Sequence, residues 1–252
     1  MRVLILATSS ETTNYLINSL INKFDVEIIF ENRVPRKIFW KNRIKKLGLL
    51  KVFNQICFLI FINLFGYFYK KEKFKIISKE MLSQEYLSNI KTEYVETINS
   101  QSSAKLIASS NVDIIIINGT RILSRDLLAS IRTPILNIHC GITPKYRGVH
   151  GGYWALYNQD IKNLGVTIHR VDAGIDTGGI IFQDNITVSN KDNYFTYPIK
   201  QYQKALPALI SILLDYSKSN KLPCITNTLP SHLWSHPTLI EYLNGFIFKN
   251  VK

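Results

Sequence analysis

Short aliphatic runs recur along the chain, separated by stretches in which apolar residues have helical spacing. The runs cover residues 3–7, 25–30, 113–117 and 134–139. The third, DIIII, is almost continuously apolar, which is typical of a strand buried on both faces of a sheet. Strands that alternate with helices predict an α/β domain with a mainly parallel sheet. In such a sheet the ligand site lies beyond the carboxyl ends of the strands, so residues there are the first candidates for function.

Other stretches of the chain predict the remaining elements. From residue 222 onward three prolines interrupt the chain, which predicts an irregular arm that ends in a short helix. We therefore expect a main domain over residues 1–217 and a C-terminal arm over 218–252. Further strands are predicted at 94–98, 165–171 and 179–182, and helices up to Leu20, at 38–69, 81–90, 103–109 and 123–131, from 151 onward and at 197–216.

The basic charge is concentrated in one segment. Residues 31–80 contain 13 Lys or Arg and 3 acidic residues, so they supply +10 of the formal net charge of +13. We interpret about 33–80 as a basic helical insertion in the main domain. Its surface suits anionic lipid, RNA or an anionic ligand, and a solvated Lys-rich face is the alternative. No DNA partner is predicted.

The middle of this insertion is apolar. Residues 49–69 are rich in Phe, Ile and Leu, but the cleanly apolar part begins only at residue 56. A membrane span needs about 20 mostly apolar residues. A helix buried in the fold or in a homodimer interface is the favoured interpretation. An interfacial helix, which would give residues 36–75 a peripheral membrane contact, comes second, and a true span comes last.

The cysteines and the first residues bear on location. Cys57, Cys140 and Cys224 lie far apart, without the spacing of a metal site, and they fit a reduced compartment. The apolar run at 3–7 is too short for the core of a signal peptide. We therefore expect a cytoplasmic protein, membrane-peripheral if the insertion binds lipid, and no metal site.

The strand at 134–139 ends in two polar residues that point to one chemistry. Asn137 and His139 share a face of this strand, because side chains repeat every second residue. The carboxamide can donate to an oxygen that becomes negative, and the imidazole can move a proton near neutral pH. The chain has no G-x-S-x-G nucleophile motif, which favours direct attack by a substrate amine over a covalent acyl-enzyme. A capped strand end is the alternative reading of this pair.

A second stretch, residues 165–179, supplies a carboxylate. Asp176 lies between Gly174 and Gly178, so its loop can turn sharply. A carboxylate beside an imidazole fixes its tautomer and stabilises the imidazolium. Asp172 competes for this role, and spacing alone does not separate the two acids.

Three blocks in this order, N-I-H-x(4)-P-K-Y-R-G, G-V-T-I-H and D-x-G-I-D-T-G-G, resemble the signature of the folate-dependent formyltransferases. That family includes the glycinamide ribonucleotide, methionyl-tRNA and sugar N-formyltransferases. The resemblance implies a Rossmann-like catalytic domain that uses 10-formyltetrahydrofolate. It also implies that Asn137 and His139 handle the formyl oxygen and proton movement, that Asp176 is the third catalytic residue, and that Asp172 is structural.

The resemblance extends to binding residues. The stretch 118–123 is similar to the family loop that holds the pterin, which makes Arg121, Ile122 and Leu123 the folate-side candidates. Packing at a helix start is the alternative explanation for Ile122 and Leu123.

The substrate side is assigned in the same way. Lys145 and Arg147 either meet a phosphate or pin their own loop. His150 matches a loop position that faces the substrate in the purine enzyme. His169 matches a family strand histidine near the site, with a satisfied inner-face residue as the alternative.

The acceptor follows by exclusion. Methionyl-tRNA formyltransferases are expected to carry a C-terminal barrel, whereas 36 residues follow Tyr216. Glu11 would repel a phosphate where the purine enzyme binds one. We therefore expect a sugar N-formyltransferase that acts on the amine of a nucleotide-linked amino sugar. Methionyl-tRNA, a peptide or small-molecule amine, and a non-catalytic membrane-surface or RNA-binding protein are the alternatives.

Overall fold

A computed structural model describes residues 1–78 and 90–252, and a β-sheet lies at its centre. Within these residues, β3-β2-β1-β4-β5-β7-β8 is the order of the central sheet, and β6 pairs with β9. Neighbours among β1 to β5 are parallel, whereas β7 is antiparallel to β5 and to β8. The predicted α/β fold with a mainly parallel sheet is confirmed. The strands are β1 (Arg2–Ala7), β2 (Asp25–Glu31), β3 (Thr92–Val95), β4 (Ile114–Asn118), β5 (Ile135–His139), β6 (Arg147–Gly148), β7 (Gly165–Arg170), β8 (Ile180–Asn185) and β9 (Leu233–Trp234).

Helices connect and cover these strands, and hydroxyl side chains cap several of them. Ser10 accepts a hydrogen bond from the Thr13 backbone N–H, and Ser124 accepts one from the Leu127 backbone N–H. Each cap satisfies a backbone donor that the first turn leaves unpaired. The helices are α1 (Glu11–Leu20), α2 (Arg36–Leu47), α3 (Leu49–Phe65), α4 (Tyr67–Ser78), α5 (Gln101–Ser109), α6 (Arg125–Ser130), α7 (Gly151–Tyr157), α8 (Tyr197–Ser219) and α9 (Leu239–Lys249).

Both faces of the sheet are covered, because its central strands are apolar on both sides. On one face Val3, Ile5 and Leu136 pack against side chains of α1 and α8. On the other face Leu4 and Ile135 pack against α5 and α6. Alternation along β5 therefore sends Leu136 to the α1–α8 side and its neighbours, including Asn137, to the α5–α6 side.

The insertion is helical over 38–69 as expected, but it is divided into three helices, α2, α3 and α4. Gly48 has φ 83°, a conformation that residues with a side chain disfavour, and it ends α2. Gly66 lies between α3 and α4. The helix expected at 81–90 falls, except for Ile90, outside the described residues.

One face of α3 is buried in a second core. Phe58 is completely buried there and Ile62 almost so, and Val52 is buried on the same side of the helix. The Phe58 ring meets Tyr194 edge-on, with 5.2 Å between centroids, and Tyr242 of α9 at 5.1 Å. The insertion is thus anchored to the C-terminal arm and to the segment before α8.

None of the helices among the described residues is by itself both long and apolar enough to cross a bilayer. One bent pair, Leu49–Phe65 with Lys70–Ile77 at 73°, meets the length and composition criteria together.

The arm returns to the main domain after α8. Its short strand β9 pairs in parallel with β6, Arg147 opposite Leu233 and Gly148 opposite Trp234. Neither two-residue strand was expected, since two residues cannot show the alternation that predicts a strand. The expected short last helix is α9. β3 begins at Thr92 and not at residue 94, which is within the usual error of a strand boundary read from sequence.

We predict that Phe58→Ala destabilises the protein by about 3–5 kcal/mol, because it removes a fully buried ring and leaves a cavity. Urea unfolding followed by circular dichroism measures the change. Phe53→Ala is the matched control on the same helix, because Phe53 is 62% exposed, and it should change stability by less than about 0.5 kcal/mol. Equal effects of the two substitutions would contradict the observed packing of α3.

Candidate active site

Two neighbouring strands place three polar side chains on one face of the sheet. In the antiparallel pairing of β5 with β7, Asn137 lies opposite His169 and His139 opposite Thr167. Residues directly opposite each other share a face, and so do alternate residues of one strand. Asn137, His139 and His169 therefore converge near the carboxyl end of β5.

Asp176 joins this cluster from the loop between β7 and β8. Its Oδ2 lies 3.3 Å from His139 Nδ1, and its Oδ1 lies 3.5 Å from His169 Nε2. Asn137 Nδ2 is 3.4 Å from Asp176 Oδ1 and 3.2 Å from His169 Nε2. The structure thus brings together the three expected catalytic residues. His169, which the resemblance placed near the site, lies with them. We call these four side chains the polar cluster.

The backbone at Asp176 is held in an uncommon conformation. Its φ of 51° lies in the left-handed region, which non-glycine residues adopt only when their surroundings require it. The Gly148 N–H donates to Asp176 Oδ2 at 2.8 Å, and the Arg147 guanidinium donates to the Ile175 carbonyl at 3.1 Å. The segment at β6 therefore fixes both the carboxylate and the peptide that precedes it.

The competing acid, Asp172, lies outside the cluster. Its Oδ1 accepts hydrogen bonds from the Gly174 N–H at 3.0 Å and from the Thr177 hydroxyl at 2.7 Å. These bonds close the loop that carries Asp176. The hydrogen bonds therefore distinguish Asp172 from Asp176, which spacing in the sequence does not.

The ring nitrogens of both histidines have hydrogen-bond partners within the fold. His139 Nε2 lies 2.6 Å from the Tyr146 carbonyl oxygen, so both ring nitrogens face an acceptor. Burial lowers the pKa of His139 and outweighs the opposite effects of Asp176 and of that carbonyl. The His169 Nδ1–H donates to the Arg170 carbonyl at 2.7 Å, and His169 Nε2 lies 3.2 Å from Asn137 Nδ2.

The Asp176 carboxylate stays ionised although it is largely buried. Burial alone raises its pKa, but the charge of His139, the hydrogen bond from His169 and the Gly148 N–H together lower the pKa to about 2. Each of these partners favours the charged form. The cluster therefore holds a permanent negative charge beside His139.

Gly141 shapes the turn after β5. A Cβ there would lie 2.4 Å from the Tyr146 carbonyl oxygen and 2.8 Å from His139 Nε2. Only glycine lets the chain pass this close to the histidine, so the residue sets the position of the Tyr146 carbonyl.

The expected substrate-side residues lie at different distances from the cluster. Lys145 forms an ion pair with Asp160. Arg147 lies beside the cluster, where it pins the loop through Ile175. His150 stacks within an aromatic group and its Nε2 lies 2.6 Å from the Tyr194 hydroxyl and 3.0 Å from His236 Nδ1.

The expected folate-side residues follow β4, which neighbours β5 in the sheet. The Arg121 guanidinium is bound to Glu31 at 2.6 Å and to two backbone carbonyl oxygens. Leu123 is buried in the core, whereas Ile122 is exposed. Of the three side chains, Ile122 is therefore the one that a ligand can reach without rearrangement.

Two partners of the cluster are backbone groups, the Tyr146 carbonyl and the Gly148 N–H. The identity of a side chain in the sequence does not reveal such partners.

Among the described residues, no group of three or more His, Cys, Asp or Glu side chains is arranged to hold a metal ion. What remains is an amide donor, an imidazole and an ionised carboxylate in contact. Such a set can stabilise a developing oxyanion and move a proton.

Comparison with known proteins decides the family. A family model described as formyl transferase matches residues 68–211, more than half of the chain. The chain belongs to the formyl transferase family. The matched region contains Asn137, His139, His169 and Asp176, and the family resemblance seen in the sequence is confirmed.

Similar sequences include formyl transferases that act on tRNA. The methionyl-tRNA formyltransferase of Chlorobium chlorochromatii is 23% identical over 175 residues, which are 64% of this chain and 55% of that protein. That of Methylacidiphilum infernorum is 38% identical over 98 residues, 38% of this chain and 30% of that protein. The chain thus spans about half the length of the first relative and less than a third of the second.

Solved structures share the fold. A sugar N-formyltransferase from a Shewanella species superposes with a TM-score of 0.58 at 15% identity, covering 92% of this chain and 76% of that one. The phosphoribosylglycinamide formyltransferase of Bacillus halodurans gives 0.56 at 19% identity, covering 90% and 100%. At such identities the likeness shows the common fold and leaves the acceptor open.

We predict that the stability contributed by Asp176 depends on pH. Because its pKa is lowered from the ordinary 3.8 to about 2, the ionised form stabilises the fold fully above 3.8 and progressively less as the pH falls towards 2. The shift corresponds to about 2 kcal/mol. The difference in free energy of unfolding between the wild type and Asp176→Asn should therefore shrink by about that amount over this range, as urea titrations would show. A difference independent of pH would contradict the buried ion pair.

Proposed function

We propose that this chain transfers a formyl group from 10-formyltetrahydrofolate to a primary amine, and that the amine belongs to a nucleotide-linked amino sugar. One observation carries the proposal: a carboxamide, an imidazole and an ionised carboxylate are in contact near the carboxyl end of β5. Family membership favours formyl transfer, and this cluster supplies the groups that the reaction needs.

Each residue of the cluster has a role in this proposal. Asn137 donates an N–H to the formyl oxygen, which becomes negative as the amine attacks the formyl carbon. As the new C–N bond forms, neutral His139, or a water that relays to Asp176, takes the proton of the attacking amine. Once protonated, His139 adds a positive charge beside the oxyanion. The bond between the formyl carbon and the folate nitrogen then breaks, and that nitrogen receives the proton as tetrahydrofolate leaves. Asp176 orients His139 and stabilises its charged form, and His169 holds Asp176 and Asn137 in position.

The residues around the cluster fit the folate, which supplies the formyl group when bound. The loop that follows β4 lies next to β5, and its residues 119–123 offer backbone groups and the exposed Ile122 to a flat ring. Arg121 contributes by fixing this loop to Glu31, and Leu123 by anchoring it in the core. The folate-side assignment thus rests on the backbone and on Ile122.

Several observations bear on the acceptor. Glu11 opens α1, at the position where a phosphate-binding helix would expose its N–H groups, and it pairs with Lys73 of the insertion. A carboxylate at that end disfavours a phosphate, which supports a nucleotide-linked sugar over glycinamide ribonucleotide. Methionyl-tRNA is the second candidate, favoured by the similar sequences. The expected homodimer and cytoplasmic location stay predictions.

We predict that Asn137→Ala and Asp176→Ala each lower turnover by about 100- to 1,000-fold, the usual cost of losing one group that stabilises a developing oxyanion. Turnover is read as tetrahydrofolate release from 10-formyltetrahydrofolate together with the mass of the formylated product. Asp215→Ala, at an exposed carboxylate of α8, is the control and should keep wild-type turnover. Wild-type rates in both cluster variants would overturn the proposal.

The acceptor is identified by the same assay with a panel of nucleotide-linked amino sugars, charged initiator tRNA and simple amines. We expect one amino sugar to be formylated, and the product to be absent with Asn137→Ala. Formylation of the tRNA alone would establish the second candidate. Release of formate without any acceptor would indicate a deformylase, and no turnover with any acceptor would favour a non-catalytic role for the fold.

A further inference from the structure

The helix α3 is apolar on two opposite faces, and only one of them is covered. Phe58 and Ile62 belong to the second core, and Val52 is buried on the same side. On the other side Leu50 is 86% exposed and Leu64 is 71% exposed. The apolar residues of that side recur at intervals of three and four, which makes them one stripe along the helix. The stripe consists of the exposed Leu50, Phe53, Ile60 and Leu64, with the partly exposed Cys57 among them.

The last helix of the chain widens this stripe. The Ile240 N–H donates to Asn54 Oδ1 at 3.3 Å, and the rings of Phe61 and Tyr242 lie 6.1 Å apart. These two contacts place α9 beside α3. On α9 the outward residues are again large and apolar, Ile240, Ile247 and Phe248, each more than 60% exposed. We call the exposed residues of the two helices the α3–α9 face.

A basic helix lies against α3. None of the residues of α2 is buried, six of its twelve residues are Lys or Arg, and it has no acidic residue. The Arg43 guanidinium donates to the buried Gln55 Oε1 at 2.9 Å, which fixes α2 against α3. Over residues 36–71 there are nine basic residues and no acidic one. The α3–α9 face is thus accompanied by a basic helix that has no acidic residue of its own.

The combination of charge and apolar surface selects the partner. A second copy docked on the same face would bring two sets of α2 cations together, which is repulsive. A nucleic acid would use the cations, but stacking on bases requires aromatic rings, and much of this stripe is Leu and Ile. A membrane with anionic lipids satisfies both features, since acyl chains take the apolar residues and headgroups take the lysines.

We infer that the α3–α9 face inserts into the interfacial region of an anionic membrane, with Lys37, Lys41, Lys45 and Lys46 of α2 on the headgroups. The inference does not depend on the proposed acceptor. It assigns a joint role to the insertion and the arm, whose helices are distant in sequence and adjacent in the fold. No residue of the polar cluster lies on the α3–α9 face, so lipid binding and turnover can be measured separately.

Flotation of the full chain with vesicles tests the inference. The vesicles are phosphatidylcholine alone or phosphatidylcholine mixed with phosphatidylglycerol. We expect binding to the mixed vesicles that weakens with added salt, and little binding to phosphatidylcholine alone. Absence of binding to the mixed vesicles overturns the inference.

Two pairs of variants separate the apolar and the charged contributions. Leu50→Ser/Leu64→Ser should weaken binding by about tenfold or more, whereas Ile161→Ser/Leu214→Ser, at exposed apolar positions elsewhere, should not. Lys45→Ala/Lys46→Ala should weaken it by about 25-fold, because each basic residue near an anionic surface contributes a factor of about five. Lys105→Ala/Lys218→Ala is the matched control. Phe248→Ser tests the contribution of α9.

The same proteins distinguish the other occupants. A dimer seen by light scattering that Leu50→Ser/Leu64→Ser dissociates, without vesicle binding, overturns the inference in favour of a second copy. RNA binding that is lost with Lys45→Ala/Lys46→Ala but kept in the apolar variant overturns it in favour of nucleic acid. Vesicle binding that is lost in the face variants, with turnover unchanged, supports it. If the proposed function is wrong, the wild-type protein will show no turnover although it still binds the vesicles.

Discussion

The Asp176 carboxylate is the charge around which the site is assembled. A buried carboxylate without partners costs several kcal/mol, so each group that surrounds it is needed for the fold as much as for chemistry. His139 comes from β5, His169 from β7 and the Gly148 N–H from β6. The antiparallel pairing of β7 with β5 brings both histidines to the same face, and the loop after β7 then has only to turn Asp176 back towards them.

The arm and the insertion support this arrangement indirectly. Gly148 has φ 93°, and a Cβ there would lie 2.2 Å from the Trp234 carbonyl oxygen, so the pairing of β6 with β9 requires glycine. Trp234 stacks on Trp154 at 4.7 Å, and the Trp154 indole N–H donates to the Ser235 carbonyl at 2.8 Å. The arm continues into α9, which packs on α3. The direction of one N–H towards Asp176 thus depends on contacts that extend to the insertion.

The sequence predicts the parts of the fold that follow from periodicity. The aliphatic runs indicate the central strands, and the two-residue repeat places Asn137 and His139 on one face. It does not separate Asp172 from Asp176, because both lie near glycines and the difference is made by hydrogen bonds within the loop. The sequence predicts helix over the insertion without marking its breaks, because a glycine inside a helical pattern costs only about 1 kcal/mol. The break at Gly48 becomes visible only in the structure, from its φ of 83°.

The surroundings of His139 determine how readily its buried imidazole takes up a proton. Since Asp176 remains ionised, a neutral ring places its proton on Nδ1, and its Nε2 lone pair then faces the Tyr146 carbonyl oxygen at 2.6 Å. A proton on Nε2 turns that repulsion into a hydrogen bond. Burial disfavours the charged ring, while the carboxylate and the carbonyl favour it, and the pKa of His139 is lowered only by the difference. These opposing effects bring the two protonation states closer in free energy than burial alone would, as general acid–base catalysis requires.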